Sequence, residues 1–236
     1  MTTATATRKT SVPSLSPVDL ELSLRKRLNT SFDRLCWSLC TNPDTVFDHF
    51  LEFIVNGFLV NGKGLPWWKY TPEQAARFRE VFAVWVECSK EILQTRDWYD
   101  FLGYLYENAV AGIRRKQGNG QFFTPIHVVD LMAAITSIDK KPGEILSDPC
   151  CGSGRMLLAG HATNPEIIVH GNDLDRTCCL MTVCNLLIHG CRGRVTWGNA
   201  LVPNDIRQGW LVNPMLGQAD SPLGDIPHIV LEEKQN

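Results

Sequence analysis

The chain has 236 residues, of which 44% are hydrophobic and 20% are charged, as is usual for a soluble globular protein with a real core. Its formal net charge of -2 excludes a globally basic nucleic-acid-binding protein, so such binding would need a local patch. The nine cysteines lie largely in apolar segments, which argues for a reducing compartment. No apolar run is long enough for a membrane span or a signal peptide, so we expect a cytoplasmic protein without membrane contact.

The first half of the chain reads as a polar tail followed by a helical domain. Residues 1–16 are small and polar and predict a disordered tail, and residues 17–117 predict the helical domain. Asn42 and Pro43 predict a helix start, because they suit the cap and the first helical position. Thr71 and Gln74 have capping-box spacing and predict another start. The inward stripe of the helix after Asn42 is expected to contain Val46, Phe47, Phe50, Leu51 and Ile54.

A further helix is predicted from about Trp98 to Arg115. Its inward stripe would contain Leu102, Leu105, Tyr106 and Val110. The helix ends in three consecutive cations, Arg114, Arg115 and Lys116. Such a run is most often a solvated helix end favoured by the helix dipole. A phosphate-facing patch is the alternative, and these cations are therefore the candidate DNA contacts.

After Gly120 short β-rich runs alternate with helical segments, which predicts βαβ units and a parallel sheet in a second domain, residues 118–236. A short helix is expected to start at Thr124-Pro125. Its inward residues would be Val128, Leu131, Met132 and Ile135. The four predicted strands are GEILSDPC, EIIVHGND, RVTWGNA and GWLVNP, and PHIVLEE could supply one more. Two groups of cysteines, Cys36 with Cys40 and those around position 180, lack metal-ligand spacing, so we expect buried small hydrophobes and no metal site in either group.

Each predicted strand ends in a polar residue, at Asp148, Asn172-Asp173, Asn199 and Asn213. Asp148 is followed by a turn containing Gly152, Ser153 and Gly154. Small residues there let the backbone approach a ligand closely, and the amides opening a helix attract polar or anionic groups. A carboxylate 25 residues beyond Asp148 is well placed to accept hydrogen bonds from a ribose hydroxyl pair. Asp173 alone could be a surface turn residue, but the four ends together predict a nucleoside-type pocket.

From about residue 98 to 217 the sequence resembles the N6-adenine DNA methyltransferases, particularly the modification subunits of type I restriction-modification systems. The motifs that carry the resemblance occur in the family's order. They are D-x-x-G-x-x-Y-E at 100–107, G-Q-F-F-T-P at 120–125, D-P-x-C-G-S-G at 148–154, the acid Asp173, N-L-x-x-H-G at 185–190 and G-N-A-L at 198–201.

The resemblance implies an α/β, Rossmann-like fold for binding S-adenosylmethionine (SAM), with a parallel sheet that is cut short here and a helical domain before it. By the same resemblance, Asp148 and the backbone of Gly152, Ser153 and Gly154 would hold the methionine part of SAM, and Asp173 the ribose. Phe123, Thr124 and Pro125 would flank the cofactor. Asn199 replaces the family's aspartate, and its carbonyl oxygen could still accept from the adenine amino group, but without charge.

The family's catalytic segment is N-P-P followed by an aromatic residue, which here reads Asn213-Pro214-Met215-Leu216. Asn213 and Pro214 are thus the candidate catalytic residues, while the ring that would stack on a flipped adenine is missing. The resemblance implies methyl transfer to DNA, slow or dependent on a specificity or completing subunit. The alternatives are a SAM-fold protein that transfers nothing and a methyltransferase acting on RNA or on a protein glutamine.

Overall fold

The computed structural model describes residues 15–60, 70–110, 123–137, 139–202 and 204–232. Its first three helices are α1 (Pro17–Leu39), α2 (Pro43–Gly57) and α3 (Pro72–Ile92). Each has a proline in its first turn, where the missing N–H would have no helical partner. Thr71 and Gln74 form the predicted capping box before α3. Asn42 occupies the cap position of α2, but its side chain makes no capping hydrogen bond.

The fourth helix has two parts, α4 (Phe101–Leu105) and a π-helical turn at Tyr106–Val110. The sequence placed its start about three residues too early, because Asp100 is the residue that caps α4 by accepting from the Gly103 amide. The predicted inward residues of α2 are all buried, as are three of the four predicted for the fourth helix: Leu102, Leu105 and Tyr106. The side chain of Val110, the rest of that helix and the cations 114–116 lie outside the described residues, as does the predicted domain boundary at 117/118.

Helix α5 (Ile126–Ser137) is present, but the prediction of its inward face was wrong. Val128, Leu131, Met132 and Ile135 are 43–72% exposed. The buried stripe consists instead of Val129, Ala133 and Ser137. This stripe faces the following helix, Arg155–Thr163, and the two helices pack closely. A Cβ added to Gly160 of that helix would lie only 2.9 Å from the Ser137 hydroxyl. The small face therefore points inward, and the bulky face is left exposed.

The second half of the chain forms one five-stranded sheet flanked by helices α6 (Arg155–Thr163) and α7 (Arg176–Ile188). Its strands lie in chain order in the sheet. They are β1 (Ile145–Asp148), β2 (Ile168–Asp173), β3 (Gly193–Gly198), β4 (Ile206–Val212) and β5 (Ile229–Leu231). The predicted α/β class and the extra strand from PHIVLEE are both confirmed. Helix α7 is buried along most of its length and packs against both α2 and the sheet, so the helical region and the sheet share one core.

The expectation of an all-parallel sheet holds only for β1, β2 and β3. Strand β4 runs antiparallel to β3, and β5 antiparallel to β4. The reason is the length of the connection: residues 199–205 separate β3 from β4, whereas a parallel crossover needs about a dozen residues or more. The chain therefore turns straight back. Within the described ranges, the outer edge of β5 pairs with residues 58–60, while β1 pairs on one side only.

Among the helices in the described ranges, none combines the length and the apolar character needed to cross a bilayer. All nine cysteines are free and six are buried, including the four predicted around position 180. The prediction was wrong for Cys36, which is half-buried, and for Cys40, which is exposed, because they lie in the last turn and at the cap of α1.

Candidate functional site

The turn between β1 and α6 is shaped by two glycines in the left-handed region, Gly152 (φ 56°) and Gly154 (φ 87°). Their neighbours leave little room for a side chain. A Cβ on Gly152 would lie 3.0 Å from the Phe123 ring, and one on Gly154 would lie 3.1 Å from Thr182. Glycine is thus required at both positions by conformation and by space. The turn brings its backbone to the carboxyl ends of the parallel strands.

Two carboxylates stand at this end of the sheet. Asp173, at the end of β2, accepts 2.9 Å hydrogen bonds from the amides of Gly152 and Asp175, one on each oxygen. Asp148, at the end of β1, accepts from the Cys150 amide at 3.0 Å. Burial raises the pKa of both carboxyls above the usual aspartate value, although these backbone donors oppose the shift. Each carboxylate oxygen keeps acceptor capacity for a ligand.

The turn and the two carboxylates open onto a cleft with an empty volume of about 560 Å³, including its open mouth. The structure brings six of the predicted cofactor residues together as its walls. These are Phe123, Thr124, Asp148, Gly152, Ser153 and Asp173. Pro125 and Gly154 adjoin the walls, the first at the start of α5 and the second as the cap of α6.

Asn199 is not brought into the cleft. It follows β3 at the same end of the sheet as Asp173, but its side-chain oxygen accepts from the Leu201 amide at 3.0 Å. Its own amide donates to Asp205. These bonds make Asn199 part of the turn that reverses the chain into β4.

The structure also separates Asn213 and Pro214 from the cleft. Because β4 is antiparallel, Val212 lies opposite Gly193, the first residue of β3, so Asn213 is at the other end of the sheet. The offset along β3 is about 16 Å, five steps of roughly 3.3 Å. Asn213 is fully buried there. The predicted catalytic pair and the predicted cofactor residues do not form one site.

The side chain of Asn213 has a local structural role. Its amide group donates to the carbonyls of Leu187 (3.4 Å) and Cys191 (3.0 Å), and its oxygen accepts from the His228 amide (3.0 Å). Its backbone is left-handed, with φ 50°. The Pro214 carbonyl, the other predicted acceptor, receives a hydrogen bond from the Gln218 side chain.

Sequence reasoning missed a buried polar network behind the cleft. Asp100 contacts Ser153 and Arg155, and Asn185 donates to both Asp100 and Ser153. Asp100 and Asn185 both belong to motifs that carry the family resemblance, and this could have marked them as candidate site residues. Arg155 follows Gly154 directly, and only the folded chain shows that it pairs with a residue 55 positions away.

The fold and the cleft define an α/β protein with a ligand site at the carboxyl ends of adjacent parallel strands, a position that such sheets commonly use. Residues 97–213 match the N-6 DNA Methylase family model. Over these residues the chain belongs to the N-6 DNA methylase family, in agreement with the resemblance seen in its motifs.

Two curated relatives from Methanocaldococcus jannaschii are similar to this chain. The Type I restriction enzyme MjaVIII methylase subunit is 34% identical over 98 residues, which cover 39% of this chain and 16% of the relative. The MjaVII methylase subunit is 31% identical over 98 residues, covering 39% and 17%. The chain thus spans about a sixth of the length of these relatives.

Two solved structures are also similar. A candidate class I S-adenosylmethionine-dependent methyltransferase from Listeria monocytogenes has a TM-score of 0.49 and 14% identity, over 78% of this chain and 55% of that protein. The methyltransferase subunit of a type I restriction-modification system from Streptococcus thermophilus has a TM-score of 0.37 and 21% identity, over 84% and 42%.

Proposed function

We propose that this chain is the SAM-binding part of an adenine-N6 DNA methyltransferase and that it does not complete the transfer centre by itself. The observation that carries the proposal is the single cleft in which Asp148, Asp173 and the glycine turn meet. Membership of the N-6 DNA methylase family supports the choice of cofactor and of DNA as substrate.

The donors and acceptors of the cleft fit SAM. The cofactor carries an ammonium group and two ribose hydroxyls, all hydrogen-bond donors, and the cleft offers two carboxylates with free acceptor capacity. Asp173 would take the ribose hydroxyls, and Asp148 with the backbone from Gly152 to Gly154 would hold the methionine part. Phe123 and Thr124 form an opposing wall that would shield the cofactor from water. When bound, SAM would supply an electrophilic methyl group.

The transfer itself needs groups that lie elsewhere. An amide acceptor for the adenine amino group has to stand beside the cofactor, and Asn213 lies at the other end of the sheet. A flipped adenine would also lack the aromatic ring to stack on, since Leu216 stands in its place. We therefore propose that another polypeptide, a specificity or completing subunit, contributes to the site. The names of the relatives, subunits of restriction enzymes, support such an assembly.

Two exposed features support completion by another polypeptide. The outer edge of β1 carries backbone groups that no strand in the described ranges pairs with, and free edges of this kind favour pairing. The bulky apolar face of α5 is exposed as well, and contiguous apolar surface commonly marks an interaction site. The cations at 114–116 remain candidate DNA contacts.

A second candidate function is a SAM-binding protein that transfers nothing. It is favoured by the position of Asn213, which is buried at the opposite end of the sheet from the cleft and is held there by three hydrogen bonds. Transfer to RNA or to a protein glutamine remains an alternative, and the match to a DNA methylase family favours DNA over both.

One experiment tests the proposal and separates the two candidates. The purified chain is incubated with methyl-labelled SAM and unmethylated duplex DNA, alone and with the other subunits of a type I system, while SAM binding is measured on the same sample. We expect binding without transfer by the chain alone, and transfer to adenine N6 after complementation. Failure to bind SAM contradicts the proposal, as does transfer by the chain alone that Asn213→Ala abolishes. Binding without transfer in every mixture favours the second candidate.

The raised pKa values of Asp148 and Asp173 predict a pH dependence. Both accept hydrogen bonds from the cofactor more strongly when ionised, and a raised pKa means that they gain protons at a higher pH than an ordinary aspartate. SAM affinity should hold near neutral pH and fall as the pH drops through these pKa values, by up to about tenfold per pH unit for each carboxylate. Calorimetric titrations between about pH 7.5 and 4.5 test this, with circular dichroism to confirm folding. An affinity that stays constant down to about pH 4 would contradict it.

A further inference from the structure

A carboxylate from the helical region is buried directly behind the glycine turn. The side chain of Asp100, the cap of α4, is 1% exposed. One of its oxygens accepts from the Gly103 amide (2.7 Å) and the Asn185 side chain (2.8 Å). The other accepts from the Ser153 hydroxyl (2.6 Å) and from Nε of Arg155 (2.7 Å). Four donors thus converge on one residue that is not itself a wall of the cleft.

These contacts fix the central residue of the glycine turn from two sides. The Ser153 hydroxyl is held by Asp100, and the Ser153 carbonyl accepts from the Asn185 side chain at 2.8 Å. The residues on either side, Gly152 and Gly154, have left-handed backbones. Glycine has many accessible conformations and does not choose among them by itself. The conformation of the turn is therefore selected by Asp100 and Asn185, which hydrogen-bond to Ser153.

Arg155 extends the same network to the opposite wall. Its guanidinium donates to the Thr124 carbonyl (3.1 Å) and to Glu107 (3.0 Å), and lies 5.1 Å from the centre of the Phe123 ring. Burial opposes the charge of Arg155, but Asp100 and Glu107 more than offset it and raise its pKa. The ion pair of Arg155 and Asp100 therefore links the glycine turn, on one wall of the cleft, to Phe123 and Thr124 on the other wall.

We infer that Asp100 is a positioning residue for the cofactor cleft, so that the affinity for SAM depends on a helical-region side chain that does not touch SAM. This inference rests on the proposed function for the identity of the ligand. Its structural part, control of the glycine turn by Asp100, does not depend on the ligand. The sheet with its glycine turn is then only part of a cofactor site, because the helical region sets the shape of the turn.

The test compares Asp100→Asn with a matched control, Glu21→Gln. The asparagine keeps the volume but turns an N–H group towards Nε of Arg155, which breaks that contact. Glu21, on α1, is also a carboxylate paired with arginines, Arg25 and Arg96, although its side chain is 14% exposed, and it makes no contact with the glycine turn. Both variants remove the charge of a carboxylate in the helical region that pairs with arginine, but only Asp100→Asn removes a contact with the glycine turn.

Two readouts are taken on samples that circular dichroism shows to be folded. In the first, hydrogen exchange is followed without ligand at Cys151, Gly152 and Gly154, whose amides donate to Asn172, Asp173 and Cys151. Asp100→Asn should exchange at least about tenfold faster there, whereas Glu21→Gln should match the wild type. In the second, calorimetry should show SAM binding at least about tenfold weaker in Asp100→Asn and within about twofold of wild type in Glu21→Gln.

A second variant covers the case in which Asp100→Asn does not fold. Asn185→Ala keeps the pair of Asp100 and Arg155 but releases the Ser153 carbonyl, and it should change both readouts in the same direction. Wild-type exchange of the turn in the folded variants overturns the inference, and so does faster exchange with unchanged SAM affinity. Failure of the wild-type chain to bind SAM overturns the proposed function instead, while the exchange measurement still decides whether Asp100 controls the turn.

Discussion

Asp173→Ala is expected to weaken SAM binding by at least about a hundredfold, since hydrogen bonds to a charged group contribute about 1.5–3 kcal/mol each and two ribose donors lose their acceptor. The change also leaves the Gly152 amide without its partner in the turn. Calorimetric titration of SAM into wild type and variant measures the difference. The matched control is Asp175→Asn, which removes a charge two residues away while keeping an oxygen to cap α7.

Asp175→Asn should bind SAM within about twofold of the wild type, because Asp175 does not line the cleft and asparagine keeps the oxygen that caps α7. Equal losses of affinity in the two variants would mean that the general negative potential of this rim, rather than contact with Asp173, attracts the cofactor. Wild-type affinity in Asp173→Ala would remove Asp173 from the site.

Asn213→Ala is expected to lower the free energy of unfolding by about 3–5 kcal/mol and to leave SAM affinity unchanged. The reason is that the carbonyls of Leu187 and Cys191 and the amide of His228 lose their partner in the core. Alanine also tolerates the left-handed backbone less well than asparagine does. Urea denaturation measures the loss of stability, and a SAM titration on the folded variant measures the affinity.

Asn204→Ala is the matched control, since Asn204 is an exposed asparagine whose φ of 63° is also left-handed. It isolates the backbone contribution, about 1–2 kcal/mol. The interpretation of Asn213 as a buried structural residue is contradicted by two results: equal stability losses in the two variants, or a clear loss of SAM affinity in Asn213→Ala alone.

Local features of the fold could be predicted from the sequence because they depend on neighbouring residues. The capping box at Thr71 and the polar strand ends at Asp148 and Asp173 are of this kind. The inward face of α5 could not be, because its apolar residues surround most of the helix. A close contact with Gly160 selects the small side chains, and that contact exists only in the folded chain.

The direction of β4 could have been predicted, because the sequence shows how short the connection between β3 and β4 is. Seven residues, 199–205, connect β3 to β4 and are too few for a parallel crossover. The alternation of strands and helices favoured a parallel strand, whereas the short connection imposes a hairpin. The distance of Asn213 from the cleft follows from that reversal.

The network around Asp100 could not be predicted in detail. Its members are separated by 53, 55 and 85 positions from Asp100, at Ser153, Arg155 and Asn185. Their sequence positions fit ordinary structural roles, and only packing of α4 and α7 around the glycine turn brings their polar atoms within hydrogen-bond distance.

A crystal structure of the chain with bound SAM tests the central claim most directly. The account predicts that the ribose hydroxyls of SAM contact Asp173, that its methionine part lies against the turn from Gly152 to Gly154, and that the Asn213 side chain is more than about 10 Å from the methyl group, given the offset along β3. Asn213 within hydrogen-bond reach of an adenine placed at that methyl group, with β4 beside β1, would contradict the account and restore a complete transfer centre in this chain.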